Sequence, residues 1–371
     1  MSDPASEQTG DGGAASTETT AGEPVRPPDA PERPDAPEEP AGPASAPDGA
    51  HDPAPASARV EVPEAPQGFR AGFVCLVGRP NTGKSTLTNA LVGTKVAITS
   101  GRPQTTRHNV RGVVHREDAQ LVLVDTPGLH RPRTLLGRRL NDLVRETLAD
   151  VDVIAFCLPA NERIGPGDRY IARDLAGLRA PVVAVVTKTD TVSRQALAAQ
   201  LLAVDALGDW ADIVPVSAVR GEQVGVLTDV LVSHLPPSPP LYPTGEVTDE
   251  PVEVMVAELV REAALEGVRD ELPHSLAVVV DEIVDPRSAR ERGSRVKGSG
   301  NRLQVRVSLV VERDSQKAIV IGRGGARLKE VGVRARAGIE RLLGRRVYLD
   351  LHVRTARDWQ SDPRALARLG F

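Results

Sequence analysis

Residues 72–85, GFVCLVGRPNTGKS, constrain the fold of this chain more than any other stretch. An apolar run leads into Gly78–Ser85, which fits the pattern G-x-x-x-x-G-K-[ST], and a helix-like segment follows. A strand that passes through such a turn into a helix forms a cradle in which backbone amides and the helix N-terminus bind phosphate groups. The pattern predicts a phosphate-binding loop; a glycine turn without a ligand is the alternative that this context disfavours.

The residues of this loop have separate expected roles. Lys84 is expected to reach the β- and γ-phosphates of a nucleotide, and the hydroxyl of Ser85 is expected to bind Mg²⁺. The glycines let the backbone wrap around the phosphates. The nucleotide-binding residues predicted from this motif are Gly78, Arg79, Pro80, Asn81, Thr82, Gly83, Lys84, Ser85 and Thr86.

The pattern after this loop predicts an α/β domain. Short runs rich in Val, Ile and Leu alternate with amphipathic stretches such as 193–206 and 223–235, which is typical of a mostly parallel sheet covered by helices. The apolar runs are FVCLVG, LVLVDTPG, VDVIAFCLP, PVVAVVTKTD and DIVPVSA.

Asp125-Thr126-Pro127-Gly128 ends one of these strands. The carboxylate of Asp125 can hold Mg²⁺ through water, and the amide of Gly128 can meet the γ-phosphate. The same four residues also make a good turn, so the motif alone is a weak signal. Its position about 40 residues after a phosphate loop is what makes the prediction of a nucleotide site strong.

Thr187-Lys188-Thr189-Asp190 follows another buried strand and is expected at the ligand-binding edge of the sheet. The carboxylate of Asp190 can accept two hydrogen bonds from N1–H and the exocyclic amine of guanine, which adenine does not offer, so the motif favours GTP over ATP. Lys188 would lie along the base, and Ser217-Ala218 would steady the guanine carbonyl. A helix N-cap is the alternative for this segment.

These motifs, in this order, resemble the G elements of translation-factor-related GTPases, and residues 98–113, ITSGRPQTTRHNVRGV, resemble the Era family. The resemblance implies that Thr106, with Thr105 as the less favoured alternative, meets Mg²⁺ and the γ-phosphate. Two residues depart from the general pattern. Thr187 stands where asparagine is usual and is expected to loosen the hold on the base and the loop, and Leu129 stands where many GTPases carry a water-positioning glutamine.

Because leucine cannot orient water by hydrogen bonding, another group must stabilise the transition state. Similar GTPases bind K⁺ beside the phosphates through an asparagine of the loop, and Asn81 stands at that position. The hypothesis is that K⁺ at Asn81 supplies this charge. The predicted catalytic set is therefore Lys84, Thr106, Gly128 and Asn81, with Ser85, Thr106 and Asp125 around Mg²⁺.

A second glycine loop lies near the other end, in IVIGRGGARLKEVG. The pattern predicts the order α-β-β-α-α-β: a helix over 251–267, strands over 276–284 and 303–312, helices over 315–321 and up to 343, and a last strand over 346–353. A G-x-x-G turn between two helices, in this order, resembles the type II KH domain of the Era family, whose turn clamps a nucleic acid backbone. The RNA-binding residues that this implies are Gly322, Arg323, Gly324, Gly325, Arg327 and Lys329. RNA bases would lie across an apolar groove formed by Ile319, Ile321, Leu328 and Val331. The alternative for these four apolar residues is that they pack in the core.

The motifs, the resemblance and the composition together divide the chain into four predicted parts. Residues 1–66 hold 14 acidic and 3 basic side chains, a formal charge of −11, and are rich in proline and alanine, so a disordered tail is expected. A GTPase domain over 67–236 and a linker over 237–250 precede a KH domain with its C-terminal extension over 251–371. Residues 286–371 hold 21 basic and 8 acidic side chains, a formal charge of +13, and 286–301 form a basic loop that we expect to be mobile until it binds an anion.

The two cysteines, Cys75 and Cys157, lie inside apolar runs, which predicts buried thiols and a reducing compartment. The sequence has neither a signal peptide pattern nor an apolar run of about 20 residues, so a cytoplasmic protein is expected.

The resemblance spans about 68–371 and implies a monomeric GTPase that binds the 3′ end of 16S rRNA and assists maturation of the 30S subunit, with peripheral contact to the inner face of the cell membrane. GTP or GDP and Mg²⁺ are the implied ligands. Two alternatives stay open: a membrane-associated signalling GTPase, and a KH protein acting on mRNA with a regulatory G domain.

Overall fold

The structure is a computed structural model that describes residues 68–99, 106–129, 134–266, 275–286 and 302–369. The predictions for the acidic tail, for Thr105 and for residues 287–301 of the basic loop lie outside the described residues.

The first domain contains a sheet in which the described strands follow the order β2-β3-β1-β4-β5-β6. Every neighbouring pair in it is parallel except β2 and β3, which are antiparallel. The elements in chain order are β1 (Arg70–Val77), α1 (Lys84–Val92), β2 (Val110–His115), β3 (Ala119–Asp125), α2 (Leu135–Ala149), β4 (Val153–Pro159), α3 (Pro166–Leu175), β5 (Val182–Thr187), α4 (Arg194–Asp205), β6 (Asp212–Pro215) and α5 (Val224–His234).

Helices cover both faces of this sheet, as predicted from the continuous apolar strands. Every residue of β3, β4 and β5 is buried. Leucines of α1 and α5 pack on one face, and α2, α3 and α4 pack on the other. Because parallel strands end at the same edge, the loops after β1, β3 and β5 meet there.

Strand β2 is an addition to the predicted sheet. Its residues, VRGVVH, begin within the stretch 98–113, for which no strand was predicted, and they form the antiparallel edge strand. Only part of the strand is buried, so it lacks the continuous apolar run that identified the central strands.

The linker after α5 runs beside this edge strand. The amide of Val113 donates to the carbonyl of Val247 at 2.9 Å. The side-chain oxygen of Gln120 accepts hydrogen bonds from the amides of Leu241 and Tyr242 at 2.6 and 2.9 Å. These contacts fix the linker on the first domain and set the point at which the next helix begins.

The second domain follows the predicted order α-β-β-α-α-β. Its sheet has β8 between β7, which is antiparallel to it, and β9, which is parallel to it. Side chains of the first and third helices pack with the sheet into one apolar core. The elements are α6 (Val252–Leu265), β7 (Ala277–Val284), β8 (Leu303–Val311), α7 (Asp314–Ile321), α8 (Ala326–Leu343) and β9 (Val347–Thr355).

The C-terminal extension packs between the two domains. It contains the buried Trp359 and a short helix, α9 (Pro363–Arg368). Trp359 and Leu366 pack in one apolar cluster with Leu136 and Leu140 of α2. The C-terminal extension therefore joins the second domain to the helix that follows the DTPG motif.

Cys75 and Cys157 are both buried and neither forms a disulfide, as predicted. Burial raises the pKa of both thiols, that of Cys157 to about 12. Within the parts of the chain that the structure describes, no helix has the length and apolar character needed to cross a membrane.

Candidate nucleotide site and RNA-binding loop

The phosphate loop depends on glycine at its first position. Gly78 has φ +155°, and a Cβ there would lie 2.7 Å from the carbonyl oxygen of Cys157 and 2.9 Å from Oγ1 of Thr82. Gly83, with φ +95°, precedes the first residue of α1. The N-terminus of α1 thus faces the loop and contributes positive potential for a phosphate group.

Lys84 lies in the centre of this loop. Its Nζ donates to the carbonyls of Gly78 and Arg79 at 3.2 and 3.0 Å, and the side chain is 6% exposed. Burial lowers the pKa of Lys84, and the nearby Asp125 opposes that shift. An ammonium held in this way can turn from loop carbonyls to phosphate oxygens with little movement.

Three side-chain oxygens converge beside Lys84. Ser85 Oγ donates to Asp125 Oδ2 at 2.6 Å, and Thr106 Oγ1 donates to the same oxygen at 3.1 Å. The Ser85 and Thr106 hydroxyls are 2.9 Å apart. Hard oxygen ligands of this kind are what Mg²⁺ takes in proteins.

Asp125 has the features of a carboxylate that serves a metal. It is fully buried, and its Oδ1 has no hydrogen-bond partner among the described residues. Burial raises the pKa of this carboxyl, whereas Lys84 acts in the opposite direction. A buried carboxylate oxygen without a partner is costly unless a cation or its water covers it, so these residues fit Mg²⁺.

The DTPG motif packs directly against the phosphate loop. Thr126 Oγ1 donates to Leu76 O at 2.7 Å, and Pro127 is buried. A Cβ at Gly128 would lie 2.6 Å from the nitrogen of Pro80, which is why the position requires glycine. Leu129 is 5% exposed and packs in the core with α2 and α3, so its side chain does not face the phosphate site.

The residues predicted to recognise the base are hydrogen-bonded to the phosphate loop. Thr187 Oγ1 donates to Thr82 O at 2.5 Å, and Lys188 Nζ donates to Asn81 O at 2.6 Å. The hydroxyl of Thr187 therefore reaches the loop carbonyl, and a looser hold on the base and the loop than asparagine would give stays a prediction. Asn81 and Lys188 both adopt positive φ, +65° and +58°.

Asp190 lies beside the segment that follows β6. Its Oδ1 accepts from Ser217 Oγ at 2.7 Å, and the amide of Arg220 donates to the same hydroxyl. Ser217 is fully buried and Ala218 is half-buried next to it. This contact orients the carboxylate that is expected to read guanine.

Arg79 was predicted to contact the nucleotide, and the structure directs its guanidinium elsewhere. Nε donates to Asp168 at 2.7 Å and Nη2 donates to Glu162 at 2.9 Å. Asp168 is 1% exposed, and a Cβ at Gly167 would lie 2.7 Å from the Arg79 side chain. Arg79 thus anchors the loop to α3, and its carbonyl, which accepts from Lys84, faces the phosphate site.

Thr82 and Thr86 are two further residues of the predicted nucleotide-binding set. Thr82 is buried and its hydroxyl donates to Arg79 O at 3.0 Å. Thr86 is half-buried on the first turn of α1.

The second glycine loop connects α7 to α8. Gly322, Gly324 and Gly325 have φ of +71°, +58° and +77°, which favour glycine at all three positions. Arg323, Gly324 and Lys329 are exposed. The loop therefore presents backbone and cationic side chains to solvent, as a phosphate clamp requires.

Arg327 has an additional structural role. Its Nη2 donates to the carbonyls of Ala264 and Glu266 at 3.2 and 2.8 Å, so the guanidinium caps the end of α6. Ile319 of the predicted groove is 52% exposed, while Val331 belongs to the core. Ile321 and Leu328 are half-buried. Part of the predicted groove therefore packs in the core, and part of it is accessible to solvent.

Sequence reasoning missed several residues around the site. Asp168 and Glu262 had no motif to mark them, and Arg107 was quoted only as part of a signature. Trp359 carried the clearest signal, because it is one of 2 tryptophans in a chain with 2% aromatic residues.

Comparison with known families matches both domains. The family described as 50S ribosome-binding GTPase matches residues 73–188, and the KH domain family matches residues 271–360.

Whole-chain relatives extend these matches. GTPase Era of Mycolicibacterium paratuberculosis is 66% identical over 306 residues, which cover 82% of this chain and 99% of that protein. GTPase Era of Streptomyces coelicolor is 64% identical over 308 residues, 81% of this chain and 95% of that protein. A crystal structure of Era with MgGDPNP and nucleotides 1506–1542 of 16S ribosomal RNA superposes with a TM-score of 0.76 at 35% identity, covering 81% of this chain and 99% of that one.

Proposed function

Because this chain belongs to the Era family of GTPases, which hydrolyse GTP, we propose that it binds the 3′ end of 16S rRNA through its KH domain and assists maturation of the 30S subunit. A solved relative that aligns over most of the chain binds MgGDPNP and nucleotides 1506–1542 of 16S ribosomal RNA. The observation that carries the enzymatic part is the convergence of Ser85, Thr106 and Asp125 beside Lys84.

In this mechanism the protein supplies position and charge. Lys84 and the amides of the phosphate loop bind the phosphates and absorb negative charge that develops during in-line attack by water. Ser85 and Thr106 would hold Mg²⁺ directly and Asp125 would hold it through water; when bound, the ion neutralises charge on the β- and γ-phosphates. The amide of Gly128 would meet the γ-phosphate, and the carboxylate of Asp190 would select guanine.

Potassium is a further part of the proposal. Leu129 is buried in the core, so the position after DTPG offers no side chain to orient water. K⁺ beside Asn81 would supply positive charge at the transition state. GTP turnover in K⁺ buffer should exceed turnover in Na⁺ buffer of equal ionic strength, and equal rates would remove K⁺ from the mechanism.

The RNA-binding part rests on the exposed G-x-x-G loop and the basic second domain. Salt should weaken RNA binding, because each phosphate contact releases counterions. We expect the protein to act as a monomer in the cytoplasm, with peripheral contact to the membrane.

Binding assays separate this function from its alternatives. The full chain should bind a 16S 3′-end RNA more tightly than an unrelated mRNA of equal length, at moderate salt. Preference for the mRNA would favour a KH protein acting on messages. Sedimentation with anionic vesicles in preference to 30S subunits would favour a signalling GTPase at the membrane.

A further inference from the structure

On the N-terminal side of Thr106, the KH domain contacts the chain at Thr99. The amide and hydroxyl of Thr99 both donate to Oε1 of Glu262, at 2.9 and 3.3 Å, and Glu262 belongs to α6. Lys95 donates to the other oxygen of the same carboxylate. The side chain of Glu262 is 15% exposed, so these hydrogen bonds are largely shielded from water.

On the other side of Thr106, the next residue enters the KH domain. Arg107 is 1% exposed, and its Nη1 donates to the carbonyl of Leu276 at 2.8 Å. Its guanidinium carbon lies 5.8 Å from the ring centroid of Trp359, within cation–π range. Trp359 is itself fixed, because it is fully buried and its Nε1 donates to Ser275 O.

The charges that face Arg107 come from α6. Arg261 and Glu258 pair with each other there, with Nε to Oε1 at 2.8 Å. Burial, together with repulsion by Arg261, lowers the pKa of Arg107 to about 9, while Glu258 acts in the opposite direction. A buried guanidinium is costly to separate from the groups that face it.

Contacts within the G domain hold the chain before Thr99 and after Arg107. Asn89 Oδ1 accepts from the amides of Val96 and Ala97, both at 2.9 Å. Asn109 Nδ2 donates to Thr147 Oγ1 at 2.6 Å. The KH-domain contacts of Thr99 and Arg107 lie between these two anchors, and Arg107 adjoins Thr106, the predicted Mg²⁺ ligand.

We propose that Glu262 and Arg107 are positioning residues through which the KH domain holds Thr106 beside Ser85 and Asp125. The idea rests on the proposed function, since it takes Mg²⁺ and GTP as the ligands of that site. Thr106 is expected to meet the γ-phosphate and the metal, so loss of its support should weaken triphosphate binding and spare diphosphate binding. The coupling must be reciprocal. If an RNA alters these contacts and so changes the affinity for GTP by some factor, GTP changes the affinity for that RNA by the same factor.

The test compares full-length variants in nucleotide binding. Glu262→Ala should weaken binding of the GTP analogue GDPNP, with Mg²⁺ present, by about tenfold and change GDP affinity by less than about twofold. Glu253→Ala, an exposed change on the same helix, is the matched control and should affect neither. Glu262→Gln keeps an oxygen that can accept from Thr99 and should recover most of the GDPNP affinity.

Arg107→Lys, with the exposed Arg138→Lys as its control, gives an independent second variant. Lysine keeps the charge but lacks the planar guanidinium, so the same loss of GDPNP binding with unchanged GDP binding is expected. Equal losses for both nucleotides, or no loss in either variant, would overturn the positioning role. Wild-type protein that binds neither nucleotide would instead overturn the proposed function.

Discussion

Thr187 Oγ1 donates a 2.5 Å hydrogen bond to the backbone carbonyl of Thr82, and both side chains are buried. The bond ties the end of β5 to the phosphate loop. Lys188, the next residue, donates from Nζ to Asn81 O at 2.6 Å. Two neighbouring side chains, Thr187 and Lys188, therefore connect the predicted base site to the phosphate loop.

This connection predicts the behaviour of two variants. Thr187→Val keeps the shape of the side chain but leaves the carbonyl of Thr82 without its donor, at a cost of about 1–3 kcal/mol. We expect GDP affinity, measured by fluorescence titration, to fall about tenfold. Thr187→Ser keeps the hydroxyl and should stay close to wild type; a serine variant as weak as the valine variant would argue against the hydrogen bond.

Asp190 predicts the base preference. In Asp190→Asn the side chain gains an amide donor, which suits the C2 carbonyl of xanthine and no longer accepts from the guanine amine. GTP affinity should fall by about 100-fold, because one charge-assisted hydrogen bond is lost and the new amide donor faces the guanine amine, and xanthosine triphosphate should become the better ligand. Asp205→Asn, an exposed change on α4, serves as the control. Unchanged preference for GTP would exclude Asp190 from base recognition.

A substitution at Gly324 should weaken RNA binding without changing GTP hydrolysis. Space around it is open, with nothing within 4 Å of a built Cβ, and its φ is +58°. Gly324→Asp should weaken RNA binding about tenfold through repulsion of phosphate, and GTP hydrolysis without RNA should not change. Gly324→Asn has the same shape without the charge and should bind RNA more tightly than the aspartate variant. Equal RNA affinity in the two variants would show that charge at this position is irrelevant.

Asp168 predicts a contribution of the Arg79 anchor to stability. Its carboxylate accepts from Arg79 and, at 2.8 Å, from the amide of Gly165. Asp168→Ala should lower the free energy of unfolding by about 2 kcal/mol, a figure reduced because Arg79 is partly exposed. Thermal unfolding in excess GDP measures this, with the exposed Asp174→Ala as control. Equal melting temperatures for the two variants would contradict the anchor.

The buried thiols predict slow alkylation. Burial raises the pKa of Cys157 to about 12 and raises that of Cys75 as well, so neither is a thiolate at pH 8. Iodoacetamide should leave the folded protein unmodified, as read by mass spectrometry, and add to both cysteines in denaturant. Rapid labelling of the folded chain at pH 8 would show that the sheet opens at these strands.

The central strands and the two glycine loops could be predicted because their signals are local. Continuous apolar runs identify β1, β3, β4 and β5, which are covered on both faces. The edge strand β2 was not predicted because only part of it is buried, so its residues form no continuous apolar run. Trp359 and α9 escaped prediction because their burial depends on α2, more than 200 positions earlier in the chain.

By itself, the sequence determined which residues form the phosphate loop, the guanine motif and the G-x-x-G turn, since a few neighbouring residues encode each of them. The tertiary structure alone decided where Arg79, Thr187 and Arg107 direct their donors. Their partners lie 89, 105 and 169 positions away. Such contacts form only when the sheet and the two domains have assembled, because a local pattern carries no information about which distant carbonyl or carboxylate will lie within 3 Å.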